Sequence, residues 1–520
     1  MISAANSYLP RLLPLRLPRV CVAVTATDPA ELIAKAEALV RDNPFLEFRL
    51  DYIAKPGLAI PKIKQFFDTH PGTMVIATCR RTASGGKFRG SIASQLDILS
   101  KASAAGCQLL DIELQTAQKC KPAQLQKLRT RSALILSFHD FRGTKKLDET
   151  LEKMRAFPAD FYKVVSTAGT LSDNVTMIQF LGRESDKQSL VGVCMGEQGI
   201  ISRVLGVRAG SVFTFASAIA GEETAPGQAT AQELRSVYRI EQVDVATRVY
   251  GVAGDPVAHS LSPAIMNAAF RRENVNAVYL ALHAKTLKDL LNCVRQFPIH
   301  GLSVTMPYKE AILPYLDNTD SHTTKIGACN TVVRAQDGKL YGFNTDVAAV
   351  VRPLERRLPL KGAKILVLGA GGAGRAAVFG LAEKGAEVFV WNRTAETAKK
   401  LARQAKVKTI KKELLAKTSF DVIVNTTPVG MRGVKPASLL EPKEINARLV
   451  FDLVYNPIDT PLIRMAREKG LPVVTGVEMF VHQGARQFEI WTGKPAPEEE
   501  MLRVVVHALK QQAAASAEKA

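Results

Sequence analysis

The chain has 520 residues, 47% hydrophobic and 23% charged, with a formal net charge of +20. That length is too great for one ordinary domain and predicts two to four. Its apolar runs stop short of the ~18 to 20 residues a membrane span needs, so a soluble globular protein is expected. The positive charge is spread along the sequence. Its few clusters, Lys399-Lys400 and Lys411-Lys412, have no aromatic interleaving, and nothing matches a zinc finger, a basic zipper or an RNA-recognition signature. The charge therefore reads as that of a basic enzyme attracting small anions, with neither nucleic acid nor membrane as partner. Seven cysteines, none in a C-x-x-C pair, argue for a reducing, cytoplasmic location and against a structural metal. The first 18 residues carry arginine and no acid, as a transit peptide would, but a strand beginning near Arg19 leaves little room for one.

From Arg19 to about Arg239, β-rich runs alternate with segments of helical spacing. The expected strands are Val20–Thr25, Phe45–Leu50, Thr73–Cys79, Gln108–Glu113, Ala133–Phe138, Phe161–Val165, Leu190–Met195 and Val212–Phe215. Eight β–α units in about 220 residues predict an α/β fold of the (β/α)8 TIM barrel type. An open doubly wound sheet is the runner-up, but the turn after the first strand, Thr25-Ala26-Thr27-Asp28, is not glycine-rich.

Barrel chemistry sits at the C-terminal ends of strands. At or near those ends lie Glu47, Arg49, Arg80, His139, Asp140, Lys163, Arg203 and the stretch Thr224 to Gln228. A lysine within a barrel strand faces an apolar place on either side, which disfavours a charged amine, and a neutral amine is what imine formation requires. By position alone Lys163 is equally a lysine snorkelling from a strand end. His139 among arginines suits a general base for an anionic carbonyl compound.

The runs Phe45-Leu46-Glu47-Phe48-Arg49-Leu50-Asp51, Ser137-Phe138-His139-Asp140-Phe141, Tyr162-Lys163-Val164-Val165, Met195-Gly196-Glu197, Ile201-Ser202-Arg203 and Ala225-Pro226-Gly227-Gln228 resemble the type I 3-dehydroquinate dehydratases. The resemblance implies that Lys163 forms an imine with the substrate ketone and that His139 moves the proton. It also implies that Glu47, Arg49, Arg80, Arg203, Thr224 and Gln228 hold the carboxylate and hydroxyls. One departure is Ser84 before Gly85-Gly86, where family members often carry an acid; no role is carried onto it.

The polar segment Glu233 to Thr247 ends the barrel's rhythm. Strands are then expected at Val249–Ala253, Ala277–Leu282 and Leu302–Val304, with helices at Ala264–Arg272 and Leu287–Gln296, in an open α/β sheet. A buried strand, Ala363 to Leu368, runs into Gly369-Ala370-Gly371-Gly372-Ala373-Gly374 and a helix, the context a dinucleotide fingerprint needs. Gly369 permits the tight turn, Gly371 admits the pyrophosphate, Gly374 lets helix pack on strand, and the helix N-terminus supplies free N–H donors. The next strand ends in Asn392-Arg393-Thr394, with a cation where an NAD site has an acid, which favours NADP. Lys309 after a strand and Asp346 at a helix start, capped by Asn344 or Thr345, could carry proton chemistry; taken singly, a solvated loop and a helix-dipole contact explain them better.

Ser260-Leu261-Ser262-Pro263, Val304-Thr305-Met306-Pro307-Tyr308-Lys309, Gly327-Ala328-Cys329-Asn330-Thr331, Gly342-Phe343-Asn344-Thr345-Asp346, Asn425-Thr426-Thr427-Pro428-Val429-Gly430-Met431 and Asp452-Leu453-Val454-Tyr455-Asn456-Pro457 resemble the shikimate dehydrogenases from about Arg248 onward. The resemblance implies Lys309 and Asp346 as a catalytic pair, Ser260 and Ser262 on the substrate carboxylate, and Thr305, Asn330, Tyr455 and Gln483 completing the pocket. It places Gly369, Gly371, Gly372, Ala373, Gly374, Asn392, Arg393 and Thr394 on the cofactor, and Thr426, Gly476 and Met479 on its nicotinamide side.

The whole chain thus resembles the bifunctional dehydratase–dehydrogenases of plants and some bacteria, with 3-dehydroquinate, 3-dehydroshikimate and shikimate as its small anionic partners and a plastid location if the source is a plant. The expected domains are 19–240, 246–356, 357–490 and a C-terminal helix and tail at 491–520. Oligomeric state is left open. Two alternatives are a quinate dehydrogenase in the second half and a non-catalytic regulator; the serine pair weighs against the first and the retained lysines against the second.

Overall fold

The computed structural model describes residue 13 and residues 17–257, 260–432, 434 and 439–517. Two compact units divide the chain, one of Met1–Thr247 with Leu282–Phe297, the other of Arg248–Ala281 with Pro298–Ala520.

The first unit is an eight-stranded parallel barrel: β1 (Val20–Val24), β2 (Phe45–Arg49), β3 (Met74–Thr78), β4 (Leu109–Glu113), β5 (Ala133–His139), β6 (Phe161–Thr167), β7 (Leu190–Met195) and β8 (Thr214–Ser217). They are joined in the order β7-β6-β5-β4-β3-β2-β1-β8. Closure between β7 and β8 rests on a parallel bridge from Leu190 to Ser211 and on the Val212 N–H, which donates to the Leu190 carbonyl at 2.8 Å. Side chains alternate along a strand, so every second residue points inward. The lower interior is apolar, with Cys21, Phe45, Ile76, Leu109, Ile135, Phe161, Val191 and Phe213 in one cluster. Two residues further along five of these strands stand Glu47, Thr78, Asp111, Ser137 and Lys163, all buried. The barrel is thus a hydrophobic plug below and a polar chamber above. The last strand lies two residues later than its expected position, Val212–Phe215, because Phe213 belongs to the plug while the strand runs on through the small residues Ala216 and Ser217.

The second unit contains two sheets. One has six strands, β9 (Arg248–Gly254), β10 (Ala277–His283), β11 (Ile299–Val304), β12 (Asn318–Thr319), β13 (Thr331–Arg334) and β14 (Leu340–Phe343), in the order β10-β9-β11-β13-β14-β12. β9 and β11 are parallel, while β13 is antiparallel to both β11 and β14. Strands β12 to β14 were not anticipated; they run for only two to four residues each.

The other sheet is all parallel: β15 (Lys364–Leu368), β16 (Glu387–Trp391), β17 (Lys408–Thr409), β18 (Phe420–Asn425), β19 (Ala447–Asp452) and β20 (Val473–Val474), ordered β17-β16-β15-β18-β19-β20. This is the doubly wound nucleotide-binding order, whose switch point falls between β15 and β18. The helix Gly476–Thr492 then serves both sheets: Met479 enters the core of the parallel sheet, while Val477, Phe480 and Phe488 pack with Tyr250 and Phe270 of the mixed one. The final helix, Glu498–Ala517, adds Met501, Val505 and Leu509 to that second core. Among the described residues no helix is long and apolar enough to cross a membrane, and no His, Cys, Asp and Glu cluster could hold a metal ion.

Candidate active sites

In the barrel one cavity is lined by Glu47, Arg49, Arg80, His139, Lys163, Arg203, Thr224 and Gln228, which are all eight of the expected residues. Lys163 does not snorkel; it is 3% exposed. Its ammonium lies 3.1 Å from Asp111 Oδ2 and 3.8 Å from Glu47 Oε1 and 3.7 Å from the centre of the Phe215 ring. Glu47 is itself held by the Thr78 hydroxyl at 2.7 Å.

Arg80 bridges the base and the acid. Its Nη1 donates to His139 Nε2 at 3.0 Å and its Nη2 to Asp111 Oδ1 at 3.2 Å. Burial works against a charge on Asp111, but Lys163 and Arg80, with a hydrogen bond from the Ser137 hydroxyl at 2.7 Å, hold the carboxyl well below its usual range. Burial, with Arg80 and Lys163 beside it, pushes the His139 imidazole far down, so it is neutral. Its Nδ1 has no hydrogen-bond partner among the described residues.

Arg203 is 2% exposed, and burial lowers its guanidinium to about 10. Nη1 donates to the Phe215 carbonyl at 3.3 Å, while Nε and Nη2 have no partner among the described residues. A buried cation with open donors costs stability unless an anion completes it. Thr224 and Gln228 hold each other, the Thr224 N–H donating to Gln228 Oε1 at 2.7 Å. Arg49 is tied to Asp51 at 2.8 Å.

In the second unit Lys309 stands on a single helical turn, Tyr308–Ala311, after β11, and Asp346 opens the helix Asp346–Glu355 after β14. Lys309 Nζ donates to Asp346 Oδ2 at 2.5 Å, and Asn330 Nδ2 donates to Asp346 Oδ1 at 2.7 Å. Asn344, not Thr345, receives the first helical N–H, that of Asp346, at 3.1 Å. Ser260 Oγ accepts from the Ser262 N–H at 3.2 Å. Tyr455 stacks on Phe480, with ring centres 4.2 Å apart. Gln483 donates to the Phe480 carbonyl at 3.0 Å, and the Thr305 N–H donates to the Ala253 carbonyl at 2.9 Å.

The glycine loop follows β15 at the switch point. Gly369 has φ +111°, a turn only glycine adopts freely. At Gly374 a Cβ would lie 2.5 Å from the Gly369 carbonyl oxygen, so helix and strand meet without a side chain between them. Space over Gly371 is open, and at Gly372 a Cβ would lie 2.9 Å from Lys309 Cδ, so Gly372 and Ala373 start their helix directly beside the lysine stem. Thr426 Oγ1 donates to the Leu368 carbonyl at 2.8 Å and lines the same turn. Arg393 and Thr394 are exposed after β16, and Asn392 Nδ2 fastens that loop to the Thr394 carbonyl at 3.0 Å. Gly476 begins the helix that follows β20. Met479 is 9% exposed and lies in the apolar core.

Comparison with known proteins follows the same division. The family model for type I 3-dehydroquinase matches residues 20–245. The model for the shikimate dehydrogenase substrate binding domain matches 252–332, that for shikimate/quinate 5-dehydrogenase 353–455, and that for the shikimate 5'-dehydrogenase C-terminal domain 476–506. The chloroplastic bifunctional 3-dehydroquinate dehydratase/shikimate dehydrogenase of Arabidopsis thaliana is 33% identical over 92% of this chain and 83% of its own length. The chain belongs to this bifunctional dehydratase/dehydrogenase family.

A shikimate dehydrogenase (NADP(+)) of Pyrococcus furiosus is 42% identical over 51% of this chain and 97% of its own. The solved shikimate 5-dehydrogenase of Thermus thermophilus, in complex with NADP(H) and shikimate, is 38% identical over 51% of this chain and 100% of its own, with a TM-score of 0.47. Within the bifunctional chain, the sequence reading missed Asp111 and Phe215, which flank Lys163. Asp111 was findable: it stands two residues after the inward Leu109 in a strand otherwise apolar up to that point, and an acid there must face the chamber.

Proposed function

We propose that the two activities of this family reside in the two clusters: Lys163 with His139 in the barrel, Lys309 with Asp346 in the second unit. The observation that carries the reading is a buried lysine sharing its cavity with a neutral imidazole and an arginine with two open donors. Lys163 passes one ammonium proton to a neighbouring carboxylate and attacks the ketone carbon of 3-dehydroquinate with the freed lone pair. The ketone oxygen takes one proton from the nitrogen and that one back from the carboxylate, and leaves as water to give the protonated imine. The imine withdraws electrons from the neighbouring carbon. His139 removes a proton there and returns it to the departing hydroxyl, which leaves as a second water. Hydrolysis of the imine restores Lys163 and consumes one water, so the net change is loss of one water to give 3-dehydroshikimate. Arg203 completes its donor set on the substrate carboxylate, while Glu47, Arg49, Arg80, Thr224 and Gln228 hold the hydroxyls and frame the base.

The loop Gly369 to Gly374 fits a dinucleotide: it is open over Gly371 and feeds a helix N-terminus. Gly369, Gly371, Gly372, Ala373 and Gly374 would hold the pyrophosphate. Asn392, Arg393 and Thr394 would hold a ribose 2′-phosphate, with Thr426 and Gly476 on the nicotinamide side. When bound, NADPH supplies the hydride that reduces 3-dehydroshikimate to shikimate. Lys309 gives a proton to the ketone oxygen, and Asp346 orients the lysine. Ser260 and Ser262 bind the carboxylate, with Thr305, Asn330, Tyr455 and Gln483 around the ring. The boundaries 19–240, 246–356, 357–490 and 491–520 are the corresponding domain division. Small anions, not nucleic acid or membrane, are the partners, and the seven free thiols support a reducing compartment such as the cytoplasm.

Borohydride added during turnover of 3-dehydroquinate tests the first half. A stable adduct mapped by mass spectrometry to Lys163 is expected; an adduct elsewhere, or none during active turnover, contradicts the imine.

A further inference from the structure

Behind the dehydrogenase pair runs a file of buried groups whose hydrogen bonds all point one way. Tyr279 Oη donates to Ser303 Oγ at 2.5 Å, and Ser303 donates to Gln487 Oε1 at 2.6 Å. Gln487 Nε2 donates to Thr331 Oγ1 at 3.0 Å, and Thr331 donates to Asn330 Oδ1 at 2.8 Å. Asn330 Nδ2 then donates to Asp346 Oδ1 at 2.7 Å. Apart from Ser303, at 7%, none of the six is more than 2% exposed.

The direction is forced from the carboxylate end. Asp346 only accepts, so the Asn330 amide must present nitrogen to it and oxygen to Thr331. The Thr331 hydroxyl, having given its proton, can only accept from Gln487, and the Gln487 oxygen is left to face Ser303. Bonds in such a chain polarise one another, and a buried member that loses its partner is costly. The file therefore runs from the Tyr279 phenol to the lysine's carboxylate.

We infer that Gln487, with Tyr279 at the head of the file, is a positioning residue for the reduction: it orients Asn330, so that Asp346 spends one oxygen on the amide and keeps the other for Lys309. Gln487 does this from the helix Gly476–Thr492, which also packs into both cores, so the register of that helix sets the geometry of the pair. The inference rests on the reading of Lys309 and Asp346 as the catalytic pair.

Gln487→Glu in the full chain tests it. The carboxylate is isosteric and still accepts from Ser303, but cannot donate to Thr331 or to the Asn330 main-chain carbonyl, which Gln487 Nε2 reaches at 3.1 Å. The expected result is a ten- to hundredfold fall in kcat for 3-dehydroshikimate reduction, with KM for NADPH and dehydratase turnover unchanged and a lower melting temperature, because the buried carboxylate faces the Asn330 main-chain carbonyl. The deficit should shrink as pH falls, because the protonated acid can donate as the amide does. Tyr279→Phe, which removes only the head of the file, should lower kcat about threefold. Wild-type kcat in a folded Gln487→Glu protein at every pH would overturn the inference. Asp346→Asn separates the two ideas: if that variant stays fully active, the reading of the pair has failed; if it is inactive while Gln487→Glu is normal, only the file has.

Discussion

The two lysines proposed to act on substrate, Lys163 and Lys309, differ in how they are enclosed. The Lys163 side chain is 4% exposed, lies between two carboxylates that are 1% and 3% exposed, and sits over an aromatic face. The Lys309 side chain is 16% exposed and has one carboxylate at 2.5 Å, which is itself held from behind by an amide. A lysine that bonds covalently to its substrate gains from a closed chamber with fixed neighbours and no competing water. A lysine that passes a proton must also recover it, and a single turn of helix beside the cleft leaves that route open. On the proposed reading the same residue type serves two reactions because one copy is built into a barrel strand and the other into a single helical turn.

The contrast breaks most sharply if each lysine site is disabled in turn. Lys163→Ala should take dehydration below detection while reduction of 3-dehydroshikimate stays at the wild-type rate, and Asp346→Asn should do the reverse; separate assays of the two half-reactions read both. A smaller effect is expected from Arg203→Met. Loss of charge-assisted bonds of about 1.5–3 kcal/mol predicts a dehydratase kcat/KM lower by about 10- to 100-fold. The melting temperature should hold or rise, since an incompletely paired buried cation is removed. A fall in melting temperature with normal kcat/KM would make Arg203 a structural residue. The smallest effect concerns pH. His139 is held neutral far below its ordinary range, so dehydratase kcat/KM should show no acid limb near pH 6.5. Arg80→Met removes a neighbouring positive charge and should move the acid limb upward by about one unit.

Most of the fold and the chemistry was legible because each signal was local. The eight β–α units carry their own periodicity, and the Gly369 turn announces itself between a strand and a helix. Lys163 and His139 lie on strands whose inward face follows from alternation. What was not legible depended on convergence. The final barrel strand was placed early because Ala216 and Ser217 carry no hydrophobic signal. The strands β12 to β14, of two to four residues each, are too short to show a period. Tyr279, Ser303, Thr331 and Gln487 are ordinary polar residues spread over more than two hundred positions, and only the packed sheet and the helix Gly476–Thr492 make one file of them. For Met479, expected beside the nicotinamide, burial in the apolar core is what the fold displays.

The central claim, two successive activities on one chain, is tested most directly by supplying purified protein with 3-dehydroquinate alone and following reduced cofactor. Consumption of NADPH, with little of NADH because Arg393 stands where an acid would favour the latter, is the predicted result. No consumption from 3-dehydroquinate, with consumption from 3-dehydroshikimate, would contradict the barrel's assignment; silence with both would contradict the account as a whole.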